Sequence, residues 1–157
     1  MSQYAFETFW HLDAPVETVW DAIVGTQMAP TWWPFIERVV ETVPGEISGV
    51  GSTRRYIWRT RLPYKLSFDI HVTRVDRPRV LEGMVSGEIE GIGRWVFESL
   101  GATTVIRHFW EVRLMKRWMK WFAPLAMPVF VWNHRQVMKA GAEGLAGFLG
   151  VRVISFG

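Results

Sequence analysis

Two hydrophobic periods divide this chain: a period of two over most of its first two-thirds, and a helical period near its end. In residues 130–149, Phe130, His134, Val137, Met138, Gly141, Leu145 and Phe148 follow one another at helical spacings along one stripe. Asn133, Arg135, Gln136, Lys139 and Glu143 fall largely outside it. This is the only long helix the pattern predicts, so it is the element available to cover the apolar face of a sheet.

Residues 4–12 alternate, with Phe6, Thr8, Trp10 and Leu12 on one face and Ala5, Glu7, Phe9 and His11 on the other. The mixed second face predicts an edge strand. Asp13 is placed to cap a helix and Pro15 to occupy its first turn. Val16, Val19, Trp20 and Ile23 then give a short amphipathic helix that Gly25 ends, and residues 26–33 give a second, closed by Pro34. Strands follow near 35–43, 50–60, 65–74, 78–86, 89–98 and 103–113, with turns at Pro44-Gly45, Arg77-Pro78 and Leu100-Gly101. Gly83, Gly87, Gly91 and Gly93 mark kinks where a sheet would curl, and Gly141, Gly144 and Gly147 mark either close packing of the helix, the blander reading, or room left for a guest.

Two neighbouring strands allow a register to be written. Ser52, Arg54, Tyr56, Trp58 and Thr60 share a face opposite Thr53, Arg55, Ile57, Arg59 and Arg61. Leu66, Phe68, Ile70 and Val72 share another, opposite Lys65, Ser67, Asp69, His71 and Thr73. A hairpin centred on Pro63 sets Trp58 beside Phe68, Tyr56 beside Ile70, and Arg59 diagonal to Asp69. The pattern therefore predicts an α+β fold: an antiparallel sheet of about seven strands around a long C-terminal helix, with two short helices after strand 1. Residues 1–157 form a single domain in this reading.

Composition sharpens this picture. Among 157 residues, 49% are hydrophobic and 21% charged, with 10 Trp and 10 Phe. So many large flat rings suit a cavity lining or an interface as well as a core. The absence of Cys excludes disulfides, thiolate metal sites and a cysteine nucleophile. The start MSQYAFETF carries no secretory pattern, and the longest apolar run, residues 121–132, is broken by Pro124 and Pro128. A spanning helix needs ~20 residues, so a cytoplasmic location is expected. A net charge of +3 is weak grounds for an acidic partner. The run of Arg54, Arg55, Arg59 and Arg61 around Tyr56 and Trp58 is no nucleic-acid surface, because alternation turns the aromatics inward and most of the arginines outward.

No G-x-S-x-G, Walker, G-x-G-x-x-G or H-E-x-x-H pattern is present, and the four histidines lie far apart. No metal or other cofactor is expected. Candidate chemistry rests on His134, on the helix stripe, and His108, which shares a strand face with Ile106, Trp110 and Val112. Two imidazoles in an apolar space either orient one polar group of a ligand or serve as general acid and base. Arg54, near a strand end, either meets an anionic group at the mouth or extends its head to solvent. Trp32, Trp33, Trp95 and Trp110 are wall residues. In residues 116–132, Lys116, Arg117 and Lys120 interleave with Trp118, Met119, Trp121 and Phe122. This segment reads either as a lid over the cavity leading into the long helix, or as a membrane-contact segment through Trp118 and Trp121.

Several stretches carry a resemblance: Ala14-Pro15-Val16-Glu17-Thr18-Val19-Trp20, Leu62-Pro63-Tyr64, GEIEGIGRW at 87–95, and Phe109-Trp110-Glu111-Val112. Asn133-His134, Val137-Met138, Gly141 and Gly144-Leu145 add to them. With the order of elements, they resemble the START / Bet v 1-like helix-grip superfamily, and within it the bacterial polyketide cyclase/dehydrase-like (SRPBCC) proteins. The resemblance implies a helix-grip fold that binds, or binds and transports, a lipid, polyketide or aromatic metabolite in an internal cavity. The expected ligand-binding residues are Trp33, Tyr56, Trp58, Phe68, Trp95, His108, Trp110, Phe130, His134 and Met138. One alternative is a cofactor-independent cyclase or dehydratase with His134 or His108 as acid/base; another is a peripheral membrane protein. A monomer or homodimer is expected.

Overall fold

The computed structural model describes residues 3–60, 62–63 and 65–157. Arg61, expected on an outer face, and Tyr64, expected at a hairpin tip, lie outside the described residues.

The chain runs β1 (Gln3–Leu12), α1 (Val16–Val24), a 3-10 turn (Thr26–Met28) and α2 (Ala29–Trp32). It continues with β2 (Ile36–Val43), β3 (Thr53–Arg59), β4 (Lys65–Asp76), β5 (Val80–Gly87), β6 (Ile89–Leu100) and β7 (Thr103–Leu114). α3 (Arg117–Leu149) and β8 (Val153–Phe156) complete it. The eight strands form one antiparallel, curved sheet in the order β2-β3-β4-β5-β6-β7-β1-β8. This is the predicted α+β helix-grip architecture with one strand more.

That extra strand moves β1 away from the edge where alternation placed it. β1 pairs along its whole length with β7, from Gln3↔Arg113 to Leu12↔Thr104, and on its other side with β8 through Trp10↔Phe156. Gly150, in the left-handed conformation at φ 69°, turns the chain out of α3 and back onto β1. Asp13 is likewise not a helix cap. Pro15 holds that position without a side-chain bond, and the Asp13 carboxylate instead accepts from Arg152 Nε at 3.3 Å, tying the β1–α1 junction to the returning chain.

The β3–β4 register differs from the expectation by two residues. Tyr56 lies opposite Phe68, Trp58 opposite Leu66 and Arg54 opposite Ile70. The tip is centred on Leu62, whose N–H donates to Thr60 Oγ1 at 3.2 Å, rather than on Pro63. A shift of two keeps every side chain on its face, because strand side chains repeat with period two. It does change partners: Arg55, not Arg59, pairs with Asp69, at 2.8 Å.

α3 begins at Arg117 and not near residue 130, and it runs through Pro124 and Pro128 for 33 residues. A proline removes one helical bond and strains the carbonyl four residues earlier. Those carbonyls belong to Lys120 and Pro124, both exposed residues, where solvent is at hand to satisfy a freed carbonyl. The C-terminal half of α3 is the part that packs. Val137, Met138, Ala142, Leu145 and Ala146 join Trp10, Trp20, Trp32 and Trp33 in the larger core. A Cβ on Gly141 would lie 2.6 Å from Trp33 and 2.8 Å from Trp10, and one on Gly144 would overlap the Trp32 carbonyl oxygen. Gly147 faces open space and Phe148, expected inside, is exposed, so the stripe dips out of the core at its end. A smaller core gathers Tyr4, Phe68, Val85, Ile89, Val112, Leu114 and Met119 at the other end of the sheet.

Candidate functional site

A cavity of about 240 Å³ lies between the two cores, enclosed by the inner face of the sheet, α3 and the α1–α2 connection. Strand alternation builds its walls. β3 contributes Arg54, Tyr56 and Trp58, β4 contributes Leu66, Phe68 and Ile70, β6 contributes Trp95, and β7 contributes His108 and Trp110. Asn133, His134, Val137 and Met138 come from α3, and Thr26, Trp32 and Trp33 from the α1–α2 region. The small residue Gly93 makes room for its cross-strand partner, since a Cβ there would lie 2.8 Å from the Trp110 ring. The exposed Ser48 and half-buried Gly49 of the β2–β3 loop border the cavity, which opens on that side.

Of the residues expected at the site, Trp33, Tyr56, Trp58, Phe68, Trp95, His108, Trp110, His134 and Met138 line this cavity. Phe130 does not. It packs edge-on against Tyr4 at 5.8 Å, one helical turn before the first lining residue of α3, and so belongs to the smaller core. The lid expectation for residues 116–132 fails for the same reason. α3 crosses the far end of the sheet at Met119, and none of the described residues in that stretch borders the cavity. Thr26 and Ser52 are lining residues that sequence reasoning passed over as site candidates. Ser52 was legible from its place on the Tyr56 face. Thr26 sits in a 3-10 turn with no periodic signal.

The rings form a continuous wall. Trp33 stacks on Trp32 at 5.4 Å and meets Trp58 edge-on at 5.1 Å and Trp95 at 6.3 Å. The Trp33 indole N–H donates to the Val137 carbonyl at 2.8 Å, which fixes α2 against α3. His108 sits between Trp95 at 4.2 Å and Trp110 at 5.6 Å. His134 stacks on Phe6 of β1 at 4.0 Å. Burial lowers the pKa of His108 to about 3, with the nearby His134 contributing, and burial lowers that of His134 to about 4. Both rings are therefore neutral at physiological pH, each with one donor and one acceptor nitrogen. His11 and His71 are bound to Thr103 and Thr53 outside the cavity.

At the open side, Arg54 neither extends freely to solvent nor sits unpaired. Its Nη1 donates to the Val24 carbonyl at the end of α1 at 3.2 Å, and its Nε lies 3.7 Å from Glu41. Beside it, Tyr56 stacks on Phe68 at 5.9 Å. Burial pushes the Tyr56 phenol pKa up, against the pull of the Arg54 charge. Among the described residues, the buried side-chain polar atoms without a hydrogen bond are Thr8 Oγ1, Thr26 Oγ1, Trp32 Nε1, Ser52 Oγ, Arg54 Nε, Trp58 Nε1 and His108 Nδ1. All but Thr8 belong to cavity-lining residues. No group of three or more His, Asp or Glu side chains is placed to hold a metal among the described residues.

Residues 3–147 match the family described as polyketide cyclase / dehydrase and lipid transport. The chain belongs to this family. Its fold is shared with an aromatase/cyclase, Zhui, of Streptomyces sp. R1128, at a TM-score of 0.72 and 15% identity over 92% of each chain. A START superfamily protein of Mycobacterium smegmatis superposes at 0.74 with 16% identity, over 91% of this chain and 94% of that one. A norcoclaurine synthase point mutant of Thalictrum flavum superposes at 0.61 with 14% identity, over 91% and 93%. At such identities the likeness is one of fold. No curated protein matches the chain in sequence. Membership of the polyketide cyclase / dehydrase and lipid transport family makes a ligand-binding or cyclase role the coarse assignment, within which the cavity's own chemistry must choose.

Proposed function

We propose that this protein binds a compact, largely aromatic small molecule carrying two or more polar groups. The observation behind this reading is the set of unpartnered polar atoms around an otherwise apolar cavity. A buried polar group without a partner costs about 1–3 kcal/mol, so a cluster of them around one space is best explained by a guest that satisfies them. The volume of about 240 Å³ falls just below the usual range of roughly 300–1,000 Å³ for ligand pockets. That favours a fused-ring metabolite over a whole diacyl lipid. Trp33, Trp58 and Trp95 supply flat surfaces for the rings, and His108, His134, Tyr56 and Ser52 supply hydrogen bonds that set the orientation.

The same histidines argue for binding over catalysis. A general acid or base works best with a pKa near the operating pH, and values of about 3 and about 4 leave both imidazoles neutral and poor at taking up protons. Native mass spectrometry of the purified protein, with solvent extraction of any bound compound, provides the ligand. Titration by tryptophan fluorescence then reads its affinity. His134→Ala is expected to weaken binding about 5–20-fold, the loss of one buried hydrogen bond, with no chemical change in the ligand in either protein. Conversion of the ligand by wild type that disappears in His134→Ala would move the assignment to a cyclase or dehydratase.

A further inference from the structure

Residues 117–132 of α3 include no described residue that lines the cavity, yet this part carries the most exposed apolar surface of the helix. Trp118, Trp121, Phe122, Leu125, Val129 and Trp132 are all exposed, Trp121 by 80% and Leu125 by 85%. At about 100° per residue the six fall within an arc of roughly 100°, a single apolar face. The helix is held to the protein from a different side, by Met119, which is 2% exposed against Tyr4, Ile89 and Leu114, and by Phe130 against Tyr4. The apolar face is thus displayed outward by an anchored helix.

We infer that this face docks the protein on an anionic membrane surface, with α3 lying in the plane of the interface. Charge selects this occupant. The sequence has no Asp or Glu between Glu111 and Glu143, while Arg117, Lys120, Arg135 and Lys139 are exposed on the same helix. Helical geometry sets Arg117, Arg135 and Lys139 along one flank of the apolar arc, where they meet lipid phosphates as the Trp rings settle at headgroup depth. A second copy fits less well, because pairing two such faces gathers basic flanks with no acidic residue before Glu143 on the helix to offset them. Among the described residues no helix is long and apolar enough to cross a membrane, so the contact is peripheral. The inference is independent of what the cavity binds.

The test is co-sedimentation of the full chain with vesicles of equimolar phosphatidylcholine and phosphatidylglycerol, set against pure phosphatidylcholine. Binding is expected on the anionic vesicles only, weakening with added salt, with a blue shift of tryptophan fluorescence. Trp121→Ala with Leu125→Ala should lower the partition constant at least about 10-fold, and Arg117→Gln with Arg135→Gln by roughly 5-fold or more. All four positions are exposed, so circular dichroism should show the variants folded. No binding by wild type, or equal binding by the apolar double variant, overturns the proposal. So does a wild-type dimer in sedimentation velocity that the apolar variant dissociates while vesicles bind neither.

Discussion

His108 and His134 bear on stability as well as on binding. Their pKa values in the fold, about 3 and about 4, lie below the 6.5 of a free imidazole. Between those limits the unfolded chain binds more protons than the folded one, so stability is full above about pH 6.5 and falls as pH drops towards 4. Each group contributes a slope of up to about 1.4 kcal/mol per pH unit. Urea unfolding at a series of pH values from 7.5 to about 4.5 should show His134→Gln with a shallower slope than wild type. Equal slopes would mean that His134 is protonated freely in the fold. Arg54 works differently, as a clasp between β3, the end of α1 and Glu41. Arg54→Ala is expected to cost about 1–2 kcal/mol, read by the same melts. Arg54→Lys should recover only part, since one ammonium cannot reach both partners in the guanidinium geometry.

Within α3, three glycines at equal spacing behave unequally because of what faces them. Gly141 lets the helix approach Trp33 and Trp10, and Gly144 lets it approach the α2 backbone, whereas Gly147 meets nothing. Gly141→Ala should therefore destabilise by about 1–3 kcal/mol through overpacking, since Trp33 is fixed by its bond to Val137 and cannot give way freely. Gly147→Ala should stabilise by up to about 1 kcal/mol, the helix-propensity difference alone. Denaturant midpoints of the two variants, moving in opposite directions, check the assignment. Sequence spacing marked all three for close packing and could not distinguish them. The prolines misled in the opposite sense: Pro124 and Pro128 imply a break, but an exposed helix offers its freed carbonyls to water and tolerates them.

Across the whole molecule, alternation and helical period are local properties, and they were readable to within a few residues for the strands and the C-terminal half of α3. The inward faces of β3, β4 and β7 followed at once, and with them most of the cavity wall from Tyr56 to Trp110, because period two allows only two faces. What depends on distant partners was not readable. The strand β8, only four residues long, exists because Gly150 turns it onto β1. The β3–β4 register shifted by two because a side-chain bond at Thr60 set the tip of the turn. Phe130 carries the right spacing for the cavity but meets Tyr4 first. The sequence by itself determined which residues face inward, since that is fixed by backbone geometry one residue at a time. Only the tertiary structure decided which inward residues share a space and which apolar residues of α3 were left facing out, because both depend on where a distant strand or helix end stops.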